Sequence, residues 1–509
     1  MNLFKLFRFH FFIKIAILSL CLLLSGACSS SSDSSSNSSE PFQLQPAGDY
    51  TQMTWTEAFD ALHAQFSAAY AFTEWKGIDW EAMKAVTRPK IVQAEADGDE
   101  IAFATALREY IFFLPDGHVS MSGGEIGDLL IAQNRCSFGV AITGLDDGRV
   151  VAYVVSDGGP AAEAGIEVGD EIVAWDDRPI AEALAAQSIL WAKSSSPPAT
   201  DEHRLLMQYQ KLVIRPEGSQ STVTFRKDVG GGDQTVTLTA TDDENEILKK
   251  STLWVNPEIK KKDIKEWDAN VLVQYSQLPS GYGYLFLGAL MDIAAYLEGR
   301  DPLTPIYDKF KEAIQFFTDH DVPGIIVDLR ANMGGSDFLA AGLSGFFYQA
   351  PVFYEYQNWY NNITGTFENI LLDDENEIIG RNVALDIPPQ TPYYEGPVIV
   401  IVNPLTISSG EGVAMAIQNL PQGQVLGFWG TNGSFGMTGG DAAMPGGYKL
   451  SFPYGQSLNS NETVQLDSRN GVGGVRPDIA VPKTLENMVD YSNGEDVELD
   501  HAVQTLQDL

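Results

Sequence analysis

The sequence predicts a multidomain α+β protein in which a helical N-terminal unit and a β-rich middle precede an α/β core. Three observations carry this. The chain has 509 residues, too long for one compact domain. Helical periodicity over residues 50–112, as in "WTEAFDALHAQFSAAYAF" and "DEIAFATALREYIFFL", gives way from residue 131 to short β-like runs such as "CSFGVAI", "RVVAYVV", "STVTFRK" and "QTVTLTA". From residue 268 onward, helices alternate with buried strands, and "PIYDKFKEAIQFFTDHDVPGIIVDLRANMGGSDFL" reads as amphipathic helix, apolar strand and glycine turn.

The first 27 residues stand apart. Lys5, Arg8 and Lys14 precede the apolar run "IAILSLCLLLSGA", the pattern of a secretory signal peptide over residues 1–27. The run is too short, and too abruptly followed by serines, for a membrane-spanning helix. "LLLSGAC" also resembles a bacterial lipoprotein signal, although Ser25 stands where that family prefers leucine. The resemblance implies a lipid on Cys28, and Ser29 after it resembles sorting to the outer membrane. The expected location is therefore the cell envelope, on the periplasmic face of that membrane. Residues 28–47, beginning "CSSSSDSSSNSSEP", read as a flexible polar tether that cannot build a core. Of three cysteines, Cys21 leaves with the signal and Cys28 is the anchor, so the remaining Cys136 has no partner for a disulfide. The formal charge of −36 argues against nucleic acid or anionic lipid as a partner of the folded body.

Residues 48–130 form the expected helical unit. Beyond it, "GGPAAEAGIEVGDEIVAWDDRPI" at 158–180 resembles the centre of a PDZ domain, a short "PAAxAGI" helix followed by "GDxI" opening a strand. The expected PDZ-like, β-rich domain covers 131–245. Within it, "CSFGV" resembles the carboxylate-binding loop, which implies that the N–H groups of Phe138, Gly139 and Val140 hold a peptide C-terminus as the peptide adds a strand. "AKSSSPPATDEHRLLMQYQKLVIRPEGSQ" is longer than the usual helix-to-strand connection and reads as an insertion.

Chemistry concentrates in residues 246–509. In "NPLTISSGEG" at 403–412, two serines sit between the apolar run "GPVIVIV" and the helical "EGVAMAIQNLP". Read locally, Ser408 or Ser409 caps the helix and Glu411 completes a capping box; read chemically, one hydroxyl is presented at the mouth of a sheet beside free N–H groups. "VDLRANMGGSDF" at 327–338 adds a double glycine that lets backbone N–H groups approach a ligand. Taken together, "DLRANMGG", "NPLTISSGEG" and "GGVRPDI" resemble the C-terminal-processing (tail-specific) serine peptidases and their tricorn-core relatives. That family carries a helical N-terminal part, often a PDZ domain, and an α/β core of ClpP/crotonase type.

The resemblance implies that Ser408, three residues before Glu411, is the nucleophile, and that Ser409 with Gly334 or Gly335 supplies the oxyanion N–H groups. It fails at the proton acceptor. Better-known members use a lysine where "TNGSFGMTGG" has Met437, and Lys449 lies in the following strand pattern. Histidine is the natural substitute. His10 falls in the signal, His63 and His203 fall on helices, and His320 and His501 fall in charged stretches, whereas His118 in "LPDGHVSM" resembles the "DGH" segment of the tricorn-like branch. That branch also places a glutamate where this chain has Gly471, leaving Asp467 as the candidate third catalytic group. Asp116 is read as fixing the "DGH" turn. No HExxH, clustered Cys/His or nucleotide fingerprint appears, so no metal or other cofactor is expected. The functional expectation is an extracytoplasmic serine endopeptidase that cleaves polypeptides with free C-termini near those ends by a Ser-His acyl-enzyme route. The alternative is an inactive PDZ-containing peptide-binding or scaffold lipoprotein.

Overall fold

Thr54 opens the first helix of the N-terminal unit, α1 (Trp55–Ala69), through a capping box with Glu57. Asp79 caps α2 (Trp80–Asp97), which Gly98 ends in the left-handed conformation, and Asp99 caps α3 (Glu100–Ile111). The structure, a computed structural model, describes residues 41–227 and 231–509. The expected signal peptide, Cys28 and most of the tether lie outside the described residues.

The helical unit has no closed core of its own. Phe59, Leu62, Phe66 and Leu107 share one apolar cluster with Trp359, Ile370 and Phe452 from a core sheet. Strand β1 (Ser120–Gly123) enters that sheet, pairing Ser120 with Ser451 and Gly123 with Tyr448. His118 is thus anchored to the core by a strand that begins two residues later.

The middle domain is a sheet of β2 (Val140–Gly144), β3 (Val150–Val155), β4 (Glu171–Trp175), β5 (Gln220–Arg226) and β6 (Gln234–Thr239), ordered β6-β5-β4-β3-β2. The expected short helix is present at Pro160–Glu163. The long connection lies on the helical unit: the buried Arg108 guanidinium donates to the Ala192 and Ser194 carbonyls at 3.4 and 2.8 Å, and Ser195 accepts the Met121 N–H at 3.1 Å. It then enters α4 (Asp201–Val213), capped by Thr200.

The core sheet runs β7 (Val273–Gln277), β8 (Gly283–Leu287), β9 (Ile325–Asp328), with α5 (Thr304–Asp319) as the crossover between β8 and β9. It continues after α6 (Asp337–Ser344) and a second sheet's strands β10 (Val352–Asn361), β11 (Thr366–Leu372) and β12 (Ile378–Arg381). The next core strand is β13 (Val398–Ile401), followed by α7 (Ser409–Gln418) and β14 (Gly423–Gly427). Strands β8, β9, β13 and β14 are mutually parallel. Both faces are covered, which is why β9 and β13 read as unbroken apolar runs: Ile325, Val327, Val398 and Val400 face one cluster, and Ile326, Ile399 and Ile401 face another. The second sheet adds β15 (Met437–Ala443) and β16 (Tyr448–Leu458), and the chain closes with β17 (Ile479–Ala480) on β14, then α8 (Leu485–Asn493) and α9 (Val497–Asp508). The C-terminal ends of β9 and β13, where open parallel sheets bind ligands, carry the double glycine and the two serines.

Candidate active site

Ser408 sits at the turn between β13 and α7 with φ 60° and ψ −137°, a left-handed backbone that costs energy for any residue with a side chain. It stands at the N-cap position yet makes no side-chain capping bond. Ser409 does not cap either, since its Oγ donates to the Gly335 carbonyl at 3.0 Å. Glu411 faces away from the helix start and accepts from the Thr431 hydroxyl at 2.5 Å and the Gly433 and Ser434 N–H groups at 2.8 and 3.0 Å. The capping box that the local pattern allows is therefore absent. Burial pushes the Glu411 carboxyl up to about 8 in spite of those donors.

The double glycine is pressed against the serines. A Cβ on Gly334 would lie 2.5 Å from Ser408 Cβ and 3.1 Å from its Oγ, and Gly334 has φ 73°. Its N–H, however, donates to Asn332 Oδ1 at 2.8 Å, so of the two alternatives, Gly334 or Gly335, Gly334 has its amide engaged in this structure. Gly335, at φ 146°, and Ser409 have N–H groups with no acceptor among the described residues. Behind this loop, the buried Arg330 guanidinium bonds Asp328, Asp496 and Glu498 at 2.7, 2.6 and 3.0 Å and stacks 3.6 Å from the Trp254 ring, tying the end of β9 to α9.

His118 is brought to the same place by Ser434. The Ser434 carbonyl accepts the Ser408 N–H at 3.0 Å, and its Oγ accepts the Gly117 N–H at 2.8 Å. A Cβ on Gly117 would come within 3.0 Å of Ile407 Cδ1, so the two turns are in contact. Asp116 Oδ1 accepts the His118 N–H at 2.9 Å and closes the "DGH" turn, as read from sequence. His118 Nδ1 is enclosed and has no hydrogen-bond partner among the described residues, and no hydrogen bond joins the ring to Ser408. Burial pushes the imidazole down to about 4, Asp116 opposing the shift and Lys76 adding to it.

Asp467 does not orient that imidazole. Its carboxylate lies 3.4 Å from Lys76 Nζ and accepts the Phe435 N–H at 2.9 Å, so the expected third catalytic contact is replaced by an anchor between loops. Burial raises it to about 7, with Lys76 pulling down and Asp116 pushing up. Of the alternatives, Met437 is buried, Lys449 is exposed, and His63 bonds the Tyr110 hydroxyl at 3.0 Å. Sequence reading missed Lys76, Asn332 and Ser434, since no motif marks them and their roles arise from contacts between distant segments.

The PDZ loop also departs from expectation. The Phe138 N–H donates to the Val213 carbonyl at 3.1 Å and the Gly139 N–H to Ser137 Oγ at 3.0 Å, so two of the three amides assigned to a peptide carboxylate are already engaged. Val140 pairs with Val155 in the sheet. A Cβ on Gly144 would lie 2.5 Å from the Tyr209 hydroxyl, which puts α4 close against β2.

Residues 290–481 match the family model for peptidase family S41, and residues 136–199 match that for the PDZ domain. The first holds both glycines and both serines, whereas His118 lies before it. The chain aligns with the structure of mature CPAF complexed with lactacystin at TM-score 0.55 and 15% identity, covering 90% of this chain and 99% of that one. A point mutant of CPAF aligns at TM-score 0.57 and 14% identity, over 90% and 97%. At such identities the likeness is one of fold. No curated protein matches the chain significantly. With the S41 match spanning both the double glycine and the paired serines, the chain is a serine-type peptidase whose core, residues 290–481, is of the S41 kind and follows a PDZ domain.

Proposed function

We propose that this chain is an extracytoplasmic endopeptidase that cuts polypeptides through an acyl-enzyme on Ser408. The observation that carries this is the strained Ser408 turn, whose hydroxyl is withheld from capping while two unpartnered N–H groups, of Gly335 and Ser409, lie beside it. Ser408 Oγ attacks the scissile carbonyl as His118 takes its proton, and the oxyanion is held by those two N–H groups. Collapse breaks the C–N bond, His118 returns the proton to the leaving amine, and water releases the acyl group by the reverse sequence. An imidazole held near 4 is neutral, and therefore a competent acceptor, at physiological pH. The Ser408–His118 hydrogen bond is left to form as substrate fills the site.

Cleavage near C-termini is supported by the family resemblance, while the engaged PDZ amides speak against simple capture of a free carboxylate in this conformation. The basic and apolar segment ending at Cys28 supports export and a lipid anchor facing the periplasm. Denatured casein tests the central reading: wild type should degrade it, whereas Ser408→Ala and His118→Ala should each lose about 10³-fold or more. Folded wild type that cleaves no unfolded protein would instead support the inactive scaffold, for which the missing lysine is the argument.

A further inference from the structure

Two segments far apart in sequence, residues 115–116 and 467–468, converge on one buried ammonium group. Lys76 ends a single helical turn, Thr73–Lys76, and its side chain is 1% exposed. Its Nζ donates to the Pro115 carbonyl at 2.8 Å and to Ser468 Oγ at 3.2 Å, and stands 3.6 Å from Asp116 and 3.4 Å from Asp467. Pro115 and Asp116 begin the turn that ends in His118. Asp467 and Ser468 grip the loop beside Ser408: Asp467 accepts the Phe435 N–H at 2.9 Å, and Ser468 donates its N–H to the Gly433 carbonyl at 2.9 Å. Tyr70 completes the set, donating its hydroxyl to Asp116 Oδ2 at 2.8 Å.

The geometry points to Lys76 as a positioning residue for the peptidase reaction, the joint that fixes the His118 turn in register with the Ser434 loop holding Ser408. This rests on the Ser408–His118 reading. Four backbone and side-chain oxygens converge on a group whose desolvation is costly, and only such charge-assisted contacts offset it. Methionine would fill the same volume but leave Asp116 and Asp467 without their cation. The joint also sets the field at the imidazole. The charged groups acting on His118 are Asp116 from its own turn, which favours the imidazolium, and Lys76 from the helical turn, which opposes it, while Tyr70 and Asp467 bear on these two rather than on the ring. Lys76 is the cation among them, so removing it favours the imidazolium.

The test uses the whole mature chain and the rate at which a fluorophosphonate labels Ser408, measured from pH 4 to 8. Lys76→Met is expected to label about 10²-fold more slowly, with the acid limb of the profile displaced to higher pH, and Lys76→Arg to restore most of the rate. The double variant Lys76→Met with Asp467→Leu removes both buried charges and should fold where the single one does not, showing the same displaced limb. A folded Lys76→Met or double variant with wild-type rate and an unmoved limb overturns the proposal. So does failure of both to fold beside a fully active Lys76→Arg, which assigns the residue to stability alone. Failure of the underlying reading is distinguishable, because wild type would then not label Ser408, or would label it equally after His118→Ala.

Discussion

Gly334 has room for a hydrogen and nothing more, with Ser408 Cβ 2.5 Å from where its own Cβ would stand. Gly334→Ala should therefore displace Ser408, lowering kcat/KM about 10²-fold with a smaller loss of thermal stability; peptide hydrolysis and calorimetry on the same preparation check this. Next to Ser408, the Ser409 hydroxyl is spent on the Gly335 carbonyl, so Ser409→Ala should retain activity, because the contribution proposed for it is a backbone N–H. The depressed His118 sets the pH response. In the proposed mechanism its neutral form is the active one, so kcat/KM should stay flat from neutrality down toward pH 5 and fall as pH approaches about 4, measured as an acid limb in the pH profile.

At the scale of elements, α7 is threaded through tight places. A Cβ on Gly412 would lie 1.8 Å from the Tyr354 hydroxyl, so Gly412→Ala should destabilise by about 1–3 kcal/mol in chemical denaturation. The strand-turn-helix bearing Ser408 was legible because its apolar run, paired serines and small-residue helix are contiguous. The fate of Glu411 was not. Its spacing from Ser408 fits a cap equally well, and only the fold shows the carboxylate turned toward Thr431, Gly433 and Ser434. Asp467 misled for a related reason: sequence places it near the site but cannot show that Lys76, nearly four hundred positions earlier, claims it. The PDZ loop pattern likewise identifies the domain without revealing that Val213 and Ser137 occupy its amides. The Arg330 hub joins β9 to α9, and Arg330→Met should cost about 3–5 kcal/mol by leaving Asp328 and Glu498 buried without their partner.

Across the whole molecule, the three regions meet at the loop beside Ser408. The helical unit carries His118 and Lys76, the core carries Ser408, and α4, just beyond the residues that match the PDZ domain, reaches the same loop through Glu202, which accepts the Gly430 N–H at 2.9 Å. So many buried acids make stability pH-dependent. Burial raises Asp337 to about 6, Asp467 and Glu498 to about 7 and Glu411 to about 8, so their contribution is full at acid pH and is lost as pH rises through those values. His118 and His203, held near 4, act in the opposite sense below about 6.5 but are outnumbered. The melting temperature should thus be higher at pH 5 than at pH 7, by scanning calorimetry at constant ionic strength. The central claim, that Ser408 attacks and His118 takes its proton, is tested most directly by fluorophosphonate labelling with peptide mapping of the adduct. The account predicts one adduct, on Ser408, lost in Ser408→Ala, strongly slowed in His118→Ala and preserved in Ser409→Ala. An adduct on any other residue, or none on the folded wild type, would contradict it.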